Sequence, residues 1–211
     1  NIRRDNPRLA EIAEALAALA PDVIVTLETP DALFDAPALA PWPHRRASAG
    51  PDGLGAAAIW SRTPFLPPDR WSRSGRHPAF EIARLAPPGA PGAPPLQIGA
   101  LHLSWPVLGA QEWQLLDLHR LWPAFRAPTV IAGDFNAAPW SAATRHVARL
   151  SGTEPMAGLR PSWGGRLGLA IDQTLLSPGL GVAEATTHAL PGSDHRAIRT
   201  RLLLPRGAEA P

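Results

Sequence analysis

The sequence predicts one α/β domain over residues 1–211. Amphipathic helical segments alternate with short apolar runs rich in β-branched residues along the whole chain. No internal repeat or shift in composition marks a boundary, and 211 residues at 45% hydrophobic content are enough for one large core. The 26 prolines further predict many short segments separated by rigid turns.

The elements follow in order. Asn6-Pro7 reads as a helix start, with Asn as N-cap and Pro at the first helical position; Leu9, Ile12, Leu16 and Leu19 then share one face, and the helix ends at Pro21. Val23 to Leu27 is a buried strand bounded by Pro-Asp and Glu-Thr-Pro, delivering Glu28 at its C-terminal end. Leu54 to Ser61, Ala79 to Ala86 and Leu96 to Leu103 are further strands, with Pro87 to Pro95 an exposed hairpin connection. Gly109 to Phe125 returns to a helical period with Trp113, Leu116 and Leu121 on its buried side. Thr129 to Ala132 is a central strand that runs into Gly133-Asp134-Phe135-Asn136. A helix from Ser141 to Leu150, an irregular stretch from Gly152 to Gly168, and strands at Ile171 to Leu176, Val182 to Thr187 and Ala197 to Leu204 complete the chain.

Composition excludes several classes. A pI near 10.7 suggests a polyanion binder, but all 20 basic residues are Arg and Tyr and Cys are absent, so little titrates between His and Arg and a net charge of +2 drives the value upward. Any pull on nucleic acid must come from local clustering; the candidate is Arg62, Arg70, Arg73, Arg76 and Arg84, whose simpler reading is a solvated face. The absence of Cys removes disulfides, thiolate metal sites and a thiol nucleophile, and leaves the compartment open. No apolar run approaches the roughly 20 residues that cross a bilayer, and the first residues do not form a signal peptide, so the chain as given is expected to be soluble. Metalloprotease helices, nucleophile elbows, phosphate-binding loops and dinucleotide fingerprints are missing.

Polar residues gather where strands end: Glu28, His102, Asp134 with Asn136, Asp172, and Asp194 with His195. Taken singly, a carboxylate after a strand is a turn residue and a lone His a packing residue. Together, carboxylate, amide and imidazole suit a hard cation and acid/base work on phosphate. Trp105, Trp140 and Trp163 fall on or near the same loops, as an aromatic rim that stacks on a base or dips into lipid headgroups, or as packing beneath Pro-rich loops.

The order of these motifs resembles the endonuclease/exonuclease/phosphatase superfamily of DNase I-like proteins, over nearly the whole chain. The matching residues are Asn1 in Asn-Ile-Arg, Glu28 in Thr-Leu-Glu-Thr, Ala58-Ile59-Trp60-Ser61-Arg62, His102 in His-Leu-Ser-Trp-Pro, Gly133-Asp134-Phe135-Asn136, Ile171-Asp172 and Ser193-Asp194-His195. The resemblance implies a four-layer α/β/β/α sandwich of two mixed sheets whose first strand lies ahead of this chain. It implies a phosphoesterase using Mg²⁺, or Mn²⁺, with Glu28, Asp194 and Asn1 at the metal and His102, Asp134, Asn136, Asp172 and His195 catalytic. Trp105, Trp140 and Arg62 are the candidate substrate contacts. In this scheme Asp134 orients or deprotonates water, Asn136 donates to a phosphoryl oxygen, His102 donates to the phosphate or the leaving group, and Asp172 supports His195; which group is the base stays open. Expected partners are a phosphoester, nucleic acid slightly ahead of a phospholipid headgroup or inositol phosphate, bound by a monomer. Relatives of this pattern look like bacterial forms with membrane helices ahead of the domain, which implies an anchor in a longer protein. One departure is Leu27, where the family carries Gln, so a hydrogen bond behind the metal ligand is absent or comes from elsewhere. The competing expectation is a non-catalytic nucleic-acid or membrane-binding module that retains the fold.

Overall fold

The structure, a computed structural model, describes residues 1–48, 56–67, 80–87, 93–107, 109–119, 128–165 and 168–205. Helix α1 (Leu9–Ala18) buries Ile12, Ala13 and Leu16. It starts later than Asn6-Pro7 predicts, with Arg8 at the N-cap. The Asn6 carboxamide is committed elsewhere: its Oδ1 accepts the Arg8 N–H at 2.9 Å, while Nδ2 donates to the Ile2 and Pro191 carbonyls at 3.2 and 3.0 Å, tying the start of the chain to a distant loop.

Strand β1 (Val23–Thr29) follows, then two short 3₁₀ turns (Asp31–Asp35 and Pro37–Leu39) and β2 (His44–Ala47). Sequence reading does not anticipate β2, because His-Arg-Arg-Ala has no apolar alternation; it exists by pairing with β3 (Ala56–Ser61). Then come β4 (Phe80–Leu85), β5 (Leu96–His102), α2 (Ala110–Leu118), β6 (Thr129–Asp134), α3 (Ala142–Ser151), β7 (Glu154–Pro155), β8 (Asp172–Leu176), β9 (Gly181–Ala189) and β10 (Arg196–Leu203). Ser141 caps α3 as its sequence suggests, accepting the Thr144 N–H at 3.0 Å. No described helix is long and apolar enough to cross a membrane.

The strands form a three-stranded sheet β1-β3-β2, a five-stranded sheet β4-β5-β6-β8-β7 and the hairpin β10-β9. Successive side chains of a strand point to opposite faces of its sheet, which places them in different layers. Leu27, Ala57 and Ile59 meet Ala83, Leu85, Ile98 and Val130 between the sheets. The alternate residues Ile24, Ala58 and Trp60 turn outward onto α1 and the 3₁₀ turns, packing with Ile12, Leu33 and Trp42. On the far side, Leu101, Ile131 and Leu175 pack with Leu118 of α2 and Ala143 and Val147 of α3. The result is the α/β/β/α layering of DNase I-like proteins.

Helix α2 corrects one expectation. Trp113 and Leu116 are 73% and 62% exposed, while Gln111 and Leu118 are buried. Gln111 is drawn inward because its Nε2 donates to the Ser104 and Phe135 carbonyls at 2.8 and 3.0 Å, and this rotates the apolar pair to the surface. The predicted continuation toward Phe125, Arg70, Arg73 and Arg76 of the Arg cluster, and most of the Pro87 to Pro95 connection lie outside the described residues.

Candidate active site

One sheet edge collects the polar residues, and strand direction decides which strand ends contribute. Strands β5 and β6 are parallel, with His102 in register with Asp134 at their C-terminal ends. Strand β8 is antiparallel to β6, so Asp172 pairs with Asp134 from its N-terminal end. His195 likewise stands just before β10. The chain thus supplies this edge with strand endings and strand beginnings together.

At β6, Gly133 allows the approach. A Cβ there would lie 1.9 Å from the Leu101 carbonyl oxygen, so no side chain fits. Asp134 follows, 1% exposed, and its Oδ1 accepts the Asn136 N–H at 2.9 Å. This turn holds Asn136 at φ 46°, and its Nδ2 donates to the Leu103 carbonyl at 2.7 Å. Glu28 sits in an irregularity of β1 with φ 54°, a left-handed conformation unfavourable for a Glu. Its carboxylate accepts the Asn1 Nδ2 at 2.8 Å and the Arg4 N–H at 3.2 Å. Leu27, in the place of the family's Gln, is buried between the sheets, so these two donors hold Glu28 instead.

Asn1 Nδ2 also donates to Asp134 Oδ2 at 3.1 Å, bridging the two carboxylates. The His102 Nε2 lies 3.9 Å from both Glu28 Oε1 and Asp134 Oδ2. His195 Nδ1 and Asp172 Oδ2 are hydrogen-bonded at 2.8 Å, and the opposite His195 nitrogen faces Asp134 Oδ2 at 3.6 Å. Asp194 Oδ2 accepts the Trp163 indole N–H at 2.8 Å.

Burial governs the charges. It pushes the Asp134 carboxyl above the ordinary range, with the neighbouring Asp172 charge adding to the effect. It pushes the His102 imidazole below the ordinary histidine value, against the pull of Asp134 and Glu28. Burial raises Asp172 too, but the charges and hydrogen bonds around it, that of His195 among them, outweigh it and hold that carboxyl low. A site with this many carboxylates, all hard oxygen donors, fits a divalent cation. Ligand atoms of Asp134, Asp172 and His195 lie within 4.8 Å of one another, and Glu28 opens toward solvent beside them.

The structure therefore brings together Asn1, Glu28, His102, Asp134, Asn136, Asp172 and His195. Trp105 and Trp163 meet edge to face at 5.5 Å, and Trp105 and Trp140 are 47% and 64% exposed. Arg62 stands apart. Antiparallel pairing puts the end of β3 beside Val23, at the opposite end of β1 from Glu28, and the guanidinium lies over Trp42 at 4.7 Å. Sequence reading missed the supporting residues. Ser162 accepts the Asp172 N–H at 3.1 Å, Ser193 donates to the Asn1 carbonyl at 3.0 Å, and Gln173 donates to the Ala137 carbonyl at 2.9 Å. Only the position of Ser193 and Ser162 within the motif loops hinted at them.

The family model for the endonuclease/exonuclease/phosphatase family matches residues 1–195. The chain belongs to that family. Among solved structures, the endonuclease/exonuclease/phosphatase of Beutenbergia cavernae is 18% identical with TM-score 0.72, covering 98% of this chain and 70% of that one. The endonuclease domain of TRAS1, a telomere-specific non-LTR retrotransposon, is 14% identical with TM-score 0.66, covering 99% and 96%. A mannosyl-6-phosphatase of Bacteroides thetaiotaomicron is 14% identical with TM-score 0.64, covering 93% and 91%. At these identities the likeness concerns the fold. No curated protein matches the sequence significantly. Membership places this chain among endonuclease/exonuclease/phosphatase proteins, whose members are phosphoester hydrolases, and leaves its substrate to the site itself.

Proposed function

We propose that the protein is a Mg²⁺- or Mn²⁺-dependent phosphoesterase acting on phosphodiester bonds, nucleic acid ahead of phospholipid headgroups. The observation that carries this reading is the Asp172 to His195 hydrogen bond of 2.8 Å, whose far nitrogen faces Asp134 at 3.6 Å beside Glu28 and Asn1. Glu28 and Asn1 would hold the cation, with Asp194 alongside; the bound ion supplies positive charge against a phosphate oxygen.

The protein residues divide the remaining work. Asp172 fixes the ring orientation of His195 and balances charge on it, leaving the other nitrogen to hold a proton at the attacking water or at a phosphate oxygen. Asp134, pressed between Asn1 Nδ2 and the two histidines, orients that water. The Asn136 amide and His102 donate to the phosphate as its charge grows. Exposed Trp105 and Trp140 offer faces for stacking a base. Arg62, at the other end of β1, is left to long-range attraction of a polyanion.

The test is hydrolysis of plasmid DNA, single-stranded RNA, sphingomyelin, inositol phosphates and bis-p-nitrophenyl phosphate with Mg²⁺ and with excess EDTA. Cleavage of DNA or RNA and of the small diester, abolished by EDTA, is expected. Full activity in EDTA overturns the metal mechanism, and no turnover of any substrate favours a binding module.

A further inference from the structure

Two adjacent residues of one loop serve two acids next to His195: Asp172, beside its ring, and Asp194, just before it in the chain. Ser162 is fully buried; its hydroxyl accepts the Asp172 N–H at 3.1 Å and its carbonyl accepts the Arg196 N–H at 2.7 Å. Trp163 follows and donates its indole N–H to Asp194 Oδ2 at 2.8 Å. The two acids differ in setting, since Asp172 is largely buried whereas Asp194 is exposed.

The indole is held from several sides. The Trp163 N–H donates to the Leu169 carbonyl at 3.1 Å, and the Leu169 N–H donates back to the Trp163 carbonyl at 2.7 Å. Gly164 and Gly165, at φ 86° and 69°, supply the left-handed turn that follows Trp163. The Trp163 backbone also pairs with that of His195. Its ring meets Trp105 edge to face at 5.5 Å, so the loop after β5 fixes the plane of the ring. A side chain anchored in this way keeps its N–H at one point in space.

Asp194 stands close to the residues assigned to the cation. Ser193, its neighbour in the chain, donates to the Asn1 carbonyl at 3.0 Å, and Asn1 donates to Glu28 at 2.8 Å. The charges of Asp194 and Glu28 both act on the Arg3 guanidinium, so the two carboxylates surround one cationic group at the rim of the site. An exposed aspartate in a turn rotates among staggered wells, and a cation that uses it must first freeze that rotation. A hydrogen bond fixed on one oxygen supplies the ordering in advance, as outer partners do for metal-ligating carboxylates generally. For packing against Trp105 any aromatic ring would serve; the N–H adds something only to Asp194.

Resting on the metal-dependent reading of the site, we propose that Trp163 is a positioning residue for the cation: its indole N–H sets the rotamer of Asp194 and engages one carboxylate oxygen, leaving the other for Mg²⁺ or Mn²⁺ beside Glu28. Its action passes through Asp194 and not through the phosphate. Trp163 thus serves metal affinity, while the exposed faces of Trp105 and Trp140 are left for substrate.

The test replaces Trp163 with benzothienylalanine, which keeps the bicyclic ring and puts sulfur where the N–H stands. Mn²⁺ affinity is read by calorimetry, without turnover. The analogue is expected to weaken Mn²⁺ binding about tenfold with Tm within about 2 °C of the parent. The indole signal missing from its nitrogen-edited NMR spectrum belongs to Trp163, and Asp194→Ala is expected to shift that signal. Unchanged Mn²⁺ affinity in the analogue overturns the proposal, as does an indole signal indifferent to Asp194→Ala. A fall in Tm of several degrees alongside the affinity overturns it too, and makes Trp163 a packing partner of Trp105. A parent chain that binds no Mn²⁺ is distinct from all of these: it overturns the metal reading and this role with it.

Discussion

His195 is the residue on which the proposed chemistry turns, because its ring joins Asp172 through one nitrogen and faces Asp134 through the other. His195→Ala is expected to lower kcat by about 10² or more while leaving metal affinity nearly unchanged; Asp172→Asn should lower it less, since the ring remains but loses its anionic partner. Comparing kcat per folded molecule with a Mg²⁺ titration checks both. If the pair is merely structural, both variants lose stability and keep their turnover. Gly133 is the contrasting case, a residue required by space alone. Its missing Cβ would meet the Leu101 carbonyl oxygen at 1.9 Å, so Gly133→Ala must push β5 and β6 apart. A loss of at least about 2 kcal/mol in urea unfolding is expected.

Among the elements, α2 shows how hydrogen bonds override an apolar pattern. Its sequence offers Trp113 and Leu116 as a buried face, yet Gln111 turns inward to satisfy two carbonyls of the loops that carry Ser104 and Phe135. A buried carbonyl left without a donor carries a desolvation penalty, and with Gln111 serving two of them the polar contact favours the observed rotation. Leu118→Ala should therefore cost about 2–5 kcal/mol, whereas Trp113→Ser should fall within about 0.5 kcal/mol of the parent. Thermal or urea unfolding of the two variants separates these outcomes, and the reverse ranking would restore the rotation predicted from sequence. Gln111→Ala is the more damaging polar change, because it frees the loop after β5 next to His102.

At the scale of the molecule, the buried edge makes stability depend on pH. Burial holds His102 below the ordinary histidine value, so the unfolded chain takes up protons that the folded chain refuses. That contribution is present above a pH of about 6.5 and is lost as pH falls through the folded value. Asp134 has the opposite sign: its raised carboxyl stabilises the fold in acid, and this is lost as pH rises through its folded value. Replacing one group isolates one slope. In EDTA, the urea midpoint of His102→Gln should fall less between pH 7 and pH 5 than that of the parent, and parallel curves would remove His102 from this account. The sequence by itself determined the class of fold, the positions of most strands, and the candidates Glu28, His102, Asp134, Asn136, Asp172 and His195, since these are local facts of period, punctuation and motif. It could not show β2, whose pairing rests on a neighbour rather than on its own pattern, or the exposed face of α2. Nor could it show that Asp172 and His195 stand at strand beginnings, that Asp194 turns to Trp163, or that Arg62 lies at the far end of β1. Those depend on strand direction and register, which arise only when segments distant in the chain compete for the same buried space and the same hydrogen-bonding edges.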